Sequence, residues 1–260
     1  IEVVADEFTR KKYLKDVELI DKKELKQLDN FNATEVEYDR SKTVVDLFRE
    51  QVKKAPDKTA VVFDDKKYTF KQVDELSDKI AFYLIQEGIQ REDIVGILLP
   101  RSEYMAIASL GVLKACGAYA PLDYSYPTER LEFMIHDANV KFVIVDEGLM
   151  NLIPNFKGKT LLLKDIPQLP DGKIAVSPSP EDLFVVLYTS GSTGEPKGSL
   201  IMHSNVHALC NFYQRNYDMD SKSASALYAS FGFDVFLSDL WTPLAFGAQT
   251  HIISDDVRFN

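Results

Sequence analysis

Cysteine is scarce in this chain: 260 residues hold only Cys116 and Cys210, far apart and each in apolar surroundings. That excludes a disulfide framework and fits reduced core thiols in the cytoplasm. No apolar run approaches the ~18 residues that a membrane-spanning helix needs, and no secretory leader is read at the start, where Ile1 reads as mid-chain. A surplus of positive charge is missing too. The 30 Lys and Arg against 40 Asp and Glu leave a net charge of −10, without the clustered cations of a nucleic-acid surface. Three site patterns are also lacking. Where a Walker loop would be sought the order is Lys197-Gly198-Ser199 rather than Gly-Lys-Ser/Thr, and no Gly-x-Gly-x-x-Gly fingerprint occurs. His203 and His207 stand four apart, but no Glu follows as in His-Glu-x-x-His, so they read as cap or core residues and no protein metal ligands are expected. No repeat or low-complexity tract stands out.

What the chain does have is concentrated in Tyr188-Thr-Ser-Gly-Ser-Thr-Gly-Glu-Pro-Lys-Gly198. The apolar run Leu183–Leu187 leads directly into it. Gly191, Gly194 and Gly198 permit positive φ and close approach of a ligand. Thr189, Ser190, Ser192 and Thr193 bring hydroxyls, and turned backbone amides make an anion-sized nest. Lys197 supplies the compact charge that a polyphosphate needs, and Pro196 stiffens the chain before it. A plain solvated turn is the bland alternative; the lysine and the strand feeding the loop favour phosphate handling.

Around this loop the pattern alternates between helix and strand. Residues 1–40 are charge-rich and read as a linker, with Lys22–Leu28 able to form a short amphipathic helix. Thr43 and Asp46 predict a capped helix ended by Pro56, and Thr69 with Gln72 a capping box for a helix to Gln86, stopped by Gly88. Strands are predicted at 59–63, 93–99, 141–145, 160–163, 183–188 and 226–230. Ser102 is expected to cap a helix through Ala115, Ser204 or Asn205 one through Asn216, and Asp234 one toward Phe246, kinked at Pro243 and closed by Gly247. The remainder of 148–182 reads as loop. The fold class is α/β: layered, largely parallel sheets with flanking helices. The glycine-rich loop falls at a strand's carboxyl end, where ligands gather in such sheets.

The loop's order resembles the signature of the adenylate-forming superfamily, which includes acyl-CoA synthetases, luciferase-like enzymes and the adenylation domains of nonribosomal peptide synthetases. Three more segments resemble core motifs of those adenylation domains: Tyr68-Thr-Phe-Lys-Gln-Val-Asp-Glu-Leu76, Leu113-Lys-Ala-Cys-Gly-Ala-Tyr-Ala-Pro-Leu-Asp123 followed by Tyr126–Leu131, and Phe233-Asp-Val-Phe-Leu-Ser-Asp-Leu240. Together they cover roughly residues 30 to 260. The resemblance implies amino-acid activation with ATP to an aminoacyl-adenylate and pyrophosphate, for loading onto the phosphopantetheine of a carrier protein. It implies Lys197 and Thr193 in catalysis, and Thr189, Ser190, Gly191, Ser192, Thr193, Gly194 and Lys197 on the nucleotide, with Mg²⁺ on the same phosphates. Asp234 would be a buried carboxylate pairing with the substrate ammonium, with an ordinary helix N-cap as the alternative. Val235 and Ser238 would line the amino-acid pocket, and Phe233 would border nucleotide and carboxylate. Arg101, Tyr119 and Asp123 read as packing and hydrogen-bonding residues. Implied partners are the amino acid, a peptidyl carrier protein and a condensation domain; no nucleic acid or membrane is expected.

The chain departs from that pattern in places. Cys116 takes the place of a usual glycine and asks the backbone to tolerate a side chain; Met202 and Asp239 stand where glutamates are common. Asn-x-Tyr-Gly-Pro-Thr-Glu and Tyr-Arg-Thr-Gly-Asp are missing. Residues 41–260 are therefore expected to be the first part of the large N-terminal adenylation domain, inactive alone. An acyl- or aryl-CoA ligase and a non-catalytic half-domain needing a complementing chain are the competing readings.

Overall fold

The computed structural model describes residues 20–190 and 195–258. The chain divides into two units, residues 1–39 and 40–260. In the first, residues 1–19 lie outside the described residues. The rest carries helix α1 (Lys22–Asn32), longer than its sequence pattern suggested. A capping box explains the start: Asp21 Oδ1 accepts the amides of Lys23 at 2.8 Å and Glu24 at 2.7 Å. No residue of α1 is buried.

In the second unit Thr43 opens α2 (Val44–Lys54) through the predicted box: its backbone N–H donates to Asp46 Oδ2 at 2.8 Å and its hydroxyl accepts the Asp46 amide at 3.2 Å. The hairpin β1 (Thr59–Phe63) and β2 (Lys66–Thr69) runs into α3 (Phe70–Gln86), capped by Thr69 and Gln72 as predicted. Then follow β3 (Ile94–Leu98), α4 (Tyr104–Lys114), β4 (Ala118–Pro121), α5 (Thr128–Asp137), β5 (Phe142–Val145) and β6 (Lys159–Leu162). The last third holds β7 (Leu183–Ser190), β8 (Pro196–Met202), α6 (His203–Asn216), β9 (Ala224–Leu227), α7 (Val235–Phe246), β10 (Gln249–Ile252) and the short α8 (Asp255–Arg258). Among the described residues no helix is long and apolar enough to cross a membrane.

Two sheets result. The larger has the order β6-β5-β3-β4-β7-β8, parallel except for β8, which returns antiparallel beside β7. The smaller is β2-β1-β10-β9, with β2 its one antiparallel strand. One face of the large sheet packs with the helices into the main core around Phe48, Phe70, Ile80, Ile97, Phe184 and Trp241. Its other face, with Leu98, Leu122, Val143, Val186 and Tyr188, is covered by Leu131 and Met134 of α5. Strands β2, β4, β8 and β10 and helix α5 were not distinguished in the sequence pattern.

Several local expectations are corrected. Ser102 does not cap α4: its hydroxyl turns back to the Pro100 carbonyl at 3.2 Å, and the helix begins at Tyr104 without a side-chain cap. Helix α6 starts ahead of both proposed caps, and Asn205 acts from inside the first turn, accepting the Met202 amide at 2.9 Å. Strand β9 ends at Leu227 rather than Ser230; beyond it the Ala229 carbonyl accepts from Arg101 rather than from a neighbouring strand. Cys116 sits in the left-handed region with φ 61°, as the replaced glycine implied. Gly198 is different: it lies within β8, where an added Cβ would come 3.2 Å from Val186 and 3.3 Å from the Tyr188 ring. Close packing, not positive φ, favours glycine there, since an added side chain would press on Val186 and Tyr188.

Candidate functional site

Strand β7 carries the phosphate-loop residues out of the core. Phe184 is fully buried, its ring edge-on to Trp241 at 5.2 Å and to Tyr119 at 5.7 Å between centroids. Tyr188 near the other end donates its hydroxyl to Asp137 at 2.6 Å, and burial followed by that contact raises its pKa. Beyond it Thr189 and Ser190 emerge exposed at the carboxyl end of the strand. Gly191, Ser192, Thr193 and Gly194 lie outside the described residues. The chain returns in β8 with Lys197 directly across from Thr189. Lys197 is exposed, with no ion pair among the described residues.

Register decides which way these side chains face. Past the irregularity at Leu183, Val185 and Leu187 point to the main core while Val186 and Tyr188 point to α5. Alternation therefore puts Thr189 and its partner Lys197 on the main-core face. Ile201, paired with Val185, shares that face. It stands four residues from Lys197, roughly 13 Å along the strand at about 3.3 Å per residue.

Ile201 is one wall of a groove of about 340 Å³ between α6 and α7. From α6 come Asn205, Val206, Leu209 and Tyr213, which share one helical face; from the start of α7 come Asp234, Val235, Leu237 and Ser238. Three of the four substrate residues singled out in the sequence thus meet in one concavity. The fourth does not. Phe233, 63 % exposed, lines a separate cleft of about 260 Å³ with Arg101, Asp123, Tyr124, Ser230 and Arg258. Adjacent residues of one turn therefore serve two hollows.

Asp234 is not buried, contrary to the sequence expectation. It takes helical angles (φ −60°, ψ −35°), and its Oδ1 folds back to accept the Val235 amide at 2.8 Å. The carboxylate is consequently an exposed N-cap at the groove's mouth. The Ser238 hydroxyl is spent within the helix, donating to the Val235 carbonyl at 2.8 Å. Asp239 accepts the amides of Tyr228 and Ala229, and burial raises its pKa. Pro243 lies inside α7, which continues to Phe246 and ends at Gly247 with φ 77°.

The residues read as structural behave so. Arg101 is 6 % exposed and donates to the carbonyls of Leu227, Ala229 (2.8 Å) and Ile253. Burial, then the neighbouring Arg258, lowers its pKa to about 10. Tyr119 is fully buried, stacked on Phe231 at 6.0 Å, and accepts Trp241 Nε1–H at 3.1 Å. Asp123 ties the loop after β4 to the α7 approach by accepting the Ser230 hydroxyl at 2.7 Å. His203 and His207 are core residues, Cys116 and Cys210 are buried free thiols, and among the described residues no three His, Cys, Asp or Glu gather as a metal site. Sequence reasoning missed Leu209 and Tyr213. Their spacing from Asn205 was a visible helical stripe, but nothing local revealed that α7 lies across from it.

The profile of the family described as "AMP-binding enzyme" matches residues 48–260. Bacitracin synthase 1 of Bacillus licheniformis is 36 % identical over 256 residues, which is 95 % of this chain and 5 % of that protein. Tyrocidine synthase 1 of Brevibacillus parabrevis is 34 % identical over 84 % of this chain and 20 % of its own length. The chain thus spans a small part of both. Among solved structures, the AMPPNP-bound nonribosomal peptide synthetase FmoA3 superposes with a TM-score of 0.80 at 24 % identity, over 87 % of this chain and 24 % of its own, a likeness of fold. A four-domain nonribosomal peptide synthetase bound to AMP and glycine gives a TM-score of 0.74 at 25 % identity, over 84 % of this chain and 16 % of its own.

Proposed function

Because the chain belongs to the AMP-binding enzyme family, we propose that it is the leading part of an amino-acid adenylation unit of a nonribosomal peptide synthetase. The observation that carries this reading is the meeting of Asp234, Val235 and Ser238 in one groove, on the face of the sheet that also bears Lys197. An oxygen of the amino acid's carboxylate attacks the α-phosphorus of ATP; the bond from that phosphorus to the oxygen bridging to the β-phosphate breaks, and pyrophosphate leaves with the electron pair. Positioning and charge neutralisation carry such a step. Lys197 faces the departing diphosphate, with Thr189, Ser190 and the loop Gly191–Gly194, including Thr193, supplying hydroxyl and amide donors. Exposed hydroxyls beside an exposed lysine fit a nucleotide's phosphates. Mg²⁺, when bound, spreads charge over those phosphates and needs no protein cluster for it.

Asp234 holds the substrate ammonium at the groove's mouth, Val235 and Ser238 contact its side chain, and Phe233 borders the nucleotide from the neighbouring cleft. Residues 1–40 are the connection preceding the unit, and the remainder of the adenylation domain completes the site around residues 41–260. The aminoacyl-adenylate passes to the phosphopantetheine of a carrier protein, next to a condensation domain, in the cytoplasm. An acyl-CoA ligase has no ammonium to place against Asp234, which disfavours that alternative. Asp234→Ala in the natural synthetase carrying this chain abolishes amino-acid-dependent pyrophosphate exchange while nucleotide binding persists. Undiminished exchange in that variant removes the assignment.

A further inference from the structure

Tyr213 belongs to two hollows at once. It lines the α6–α7 groove, and it also lines a second, open hollow of about 350 Å³ with Tyr217, Met219 and Ser225. Ser238 is the other residue common to both. Tyr213 and Ser238 therefore stand between the two. The ring is held in place from two sides: stacked on Tyr217 at 5.4 Å and 18°, and edge-on to Phe212 at 5.6 Å.

The two chambers differ in chemistry. The nearer one is walled by Ile201, Val206, Leu209, Val235 and Leu237, and its serine hydroxyl is turned into the helix. Its ionised group, Asp234, stands at the mouth. The farther one is lined by Asp239, Ser223 and Ser225 together with Tyr217, Met219 and Ala224, the Asp239 carboxylate lying against the backbone amides of Tyr228 and Ala229. A side chain entering past Asp234 meets a lining that, Asn205 apart, is mostly hydrocarbon up to Tyr213.

We propose that Tyr213 is a specificity-determining residue that limits this unit to branched aliphatic or aromatic amino acids by walling off the acidic second chamber. The proposal rests on the adenylation reading above and assigns the part of the substrate which that reading leaves open. An apolar chamber without a buried counter-charge penalises a cationic or anionic side chain far more than it rewards an extra methylene, which is worth about 10- to 200-fold. Removing the ring joins the chambers and brings Asp239 within reach of a long cationic side chain.

The test is ATP–pyrophosphate exchange by the natural synthetase carrying this chain, with leucine, phenylalanine, alanine, glutamate, ornithine and lysine. The wild type turns over leucine or phenylalanine at least about tenfold better than alanine and about a hundredfold better than ornithine or lysine. Tyr213→Ala raises kcat/KM for ornithine or lysine relative to leucine by about tenfold or more. Tyr213→Phe keeps the ring and the original order of preference, which separates partitioning from loss of a hydroxyl. If exchange persists but Tyr213→Ala leaves the order unchanged, or the wild type favours a small or charged amino acid, the partition is refuted and the adenylation reading stands. No exchange with any amino acid overturns both.

Discussion

At the scale of single residues, Lys197 and His203 show how differently two cations-in-waiting can be placed. Lys197 lies in solvent opposite Thr189, so its removal should cost the fold little and, on the proposed reading, the reaction much. Lys197→Ala is expected to lower kcat/KM for adenylation about a hundredfold, as loss of one preorganised charge partner does, with an unchanged melting temperature. His203 is the opposite case. It is fully buried against the edge of Phe184 at 4.8 Å, and neither ring nitrogen has a hydrogen-bond partner among the described residues. Burial lowers its pKa from 6.5 to about 4, against the weaker pull of Asp182 and Asp46. Between those values the unfolded chain takes up a proton that the folded one refuses. The contribution to stability is therefore whole above pH 6.5 and falls away as pH drops toward 4, by about 3 kcal/mol. Denaturant titrations at pH 7, 5 and 4 should show that loss in the wild type and a flatter profile in His203→Phe. Much of the candidate site was legible at this scale, because Thr189, Ser190, Lys197 and Asp234 sit in short runs whose residue types suit one proposed chemistry. The exposure of Asp234 was not legible, since it depends on a carboxylate curling onto the next amide.

Among elements, the caps decide where helices begin, and they were readable when both partners lie within one turn. Thr43 with Asp46 and Thr69 with Gln72 form as written in the sequence. Thr43 is fully buried, and Thr43→Ala should cost about 1–2 kcal/mol. For a unit of this size that is roughly 3–6 °C in Tm by calorimetry, with Thr43→Ser restoring most of it. Ser102 is not the cap because the helix begins two residues later, at Tyr104, and the serine hydroxyl turns back to donate to the Pro100 carbonyl. Short strands such as β4 and β10 escaped notice because each is only four residues long, and pairing across the chain, not local pattern, makes them strands. The return strand β8 hid inside the glycine-rich motif, where turn chemistry masks alternation.

For the whole unit, the sheet order could not be read locally: β1 pairs with β10 through contacts such as Val61 with Thr250. Arg101 shows what joins the two sheets. It follows the end of β3 in the large sheet, and its guanidinium reaches carbonyls at the ends of β9 and β10 in the small one. Arg101→Met leaves those oxygens buried without donors and should destabilise the unit by about 3 kcal/mol in urea unfolding. A wild-type urea midpoint in that variant would show that the sheets are joined by packing alone. The placement of β7 has a wider consequence. The walls of the proposed amino-acid groove are set on two helices and the end of β8, whereas Thr189 and Lys197, the proposed nucleotide holders, pair near the other end of the β7–β8 ladder. On the proposed reading, variation can retool cargo selection on the helices while the fuel-handling end stays untouched, so descendants of one ancestral scaffold can diverge in menu while sharing a single energy source.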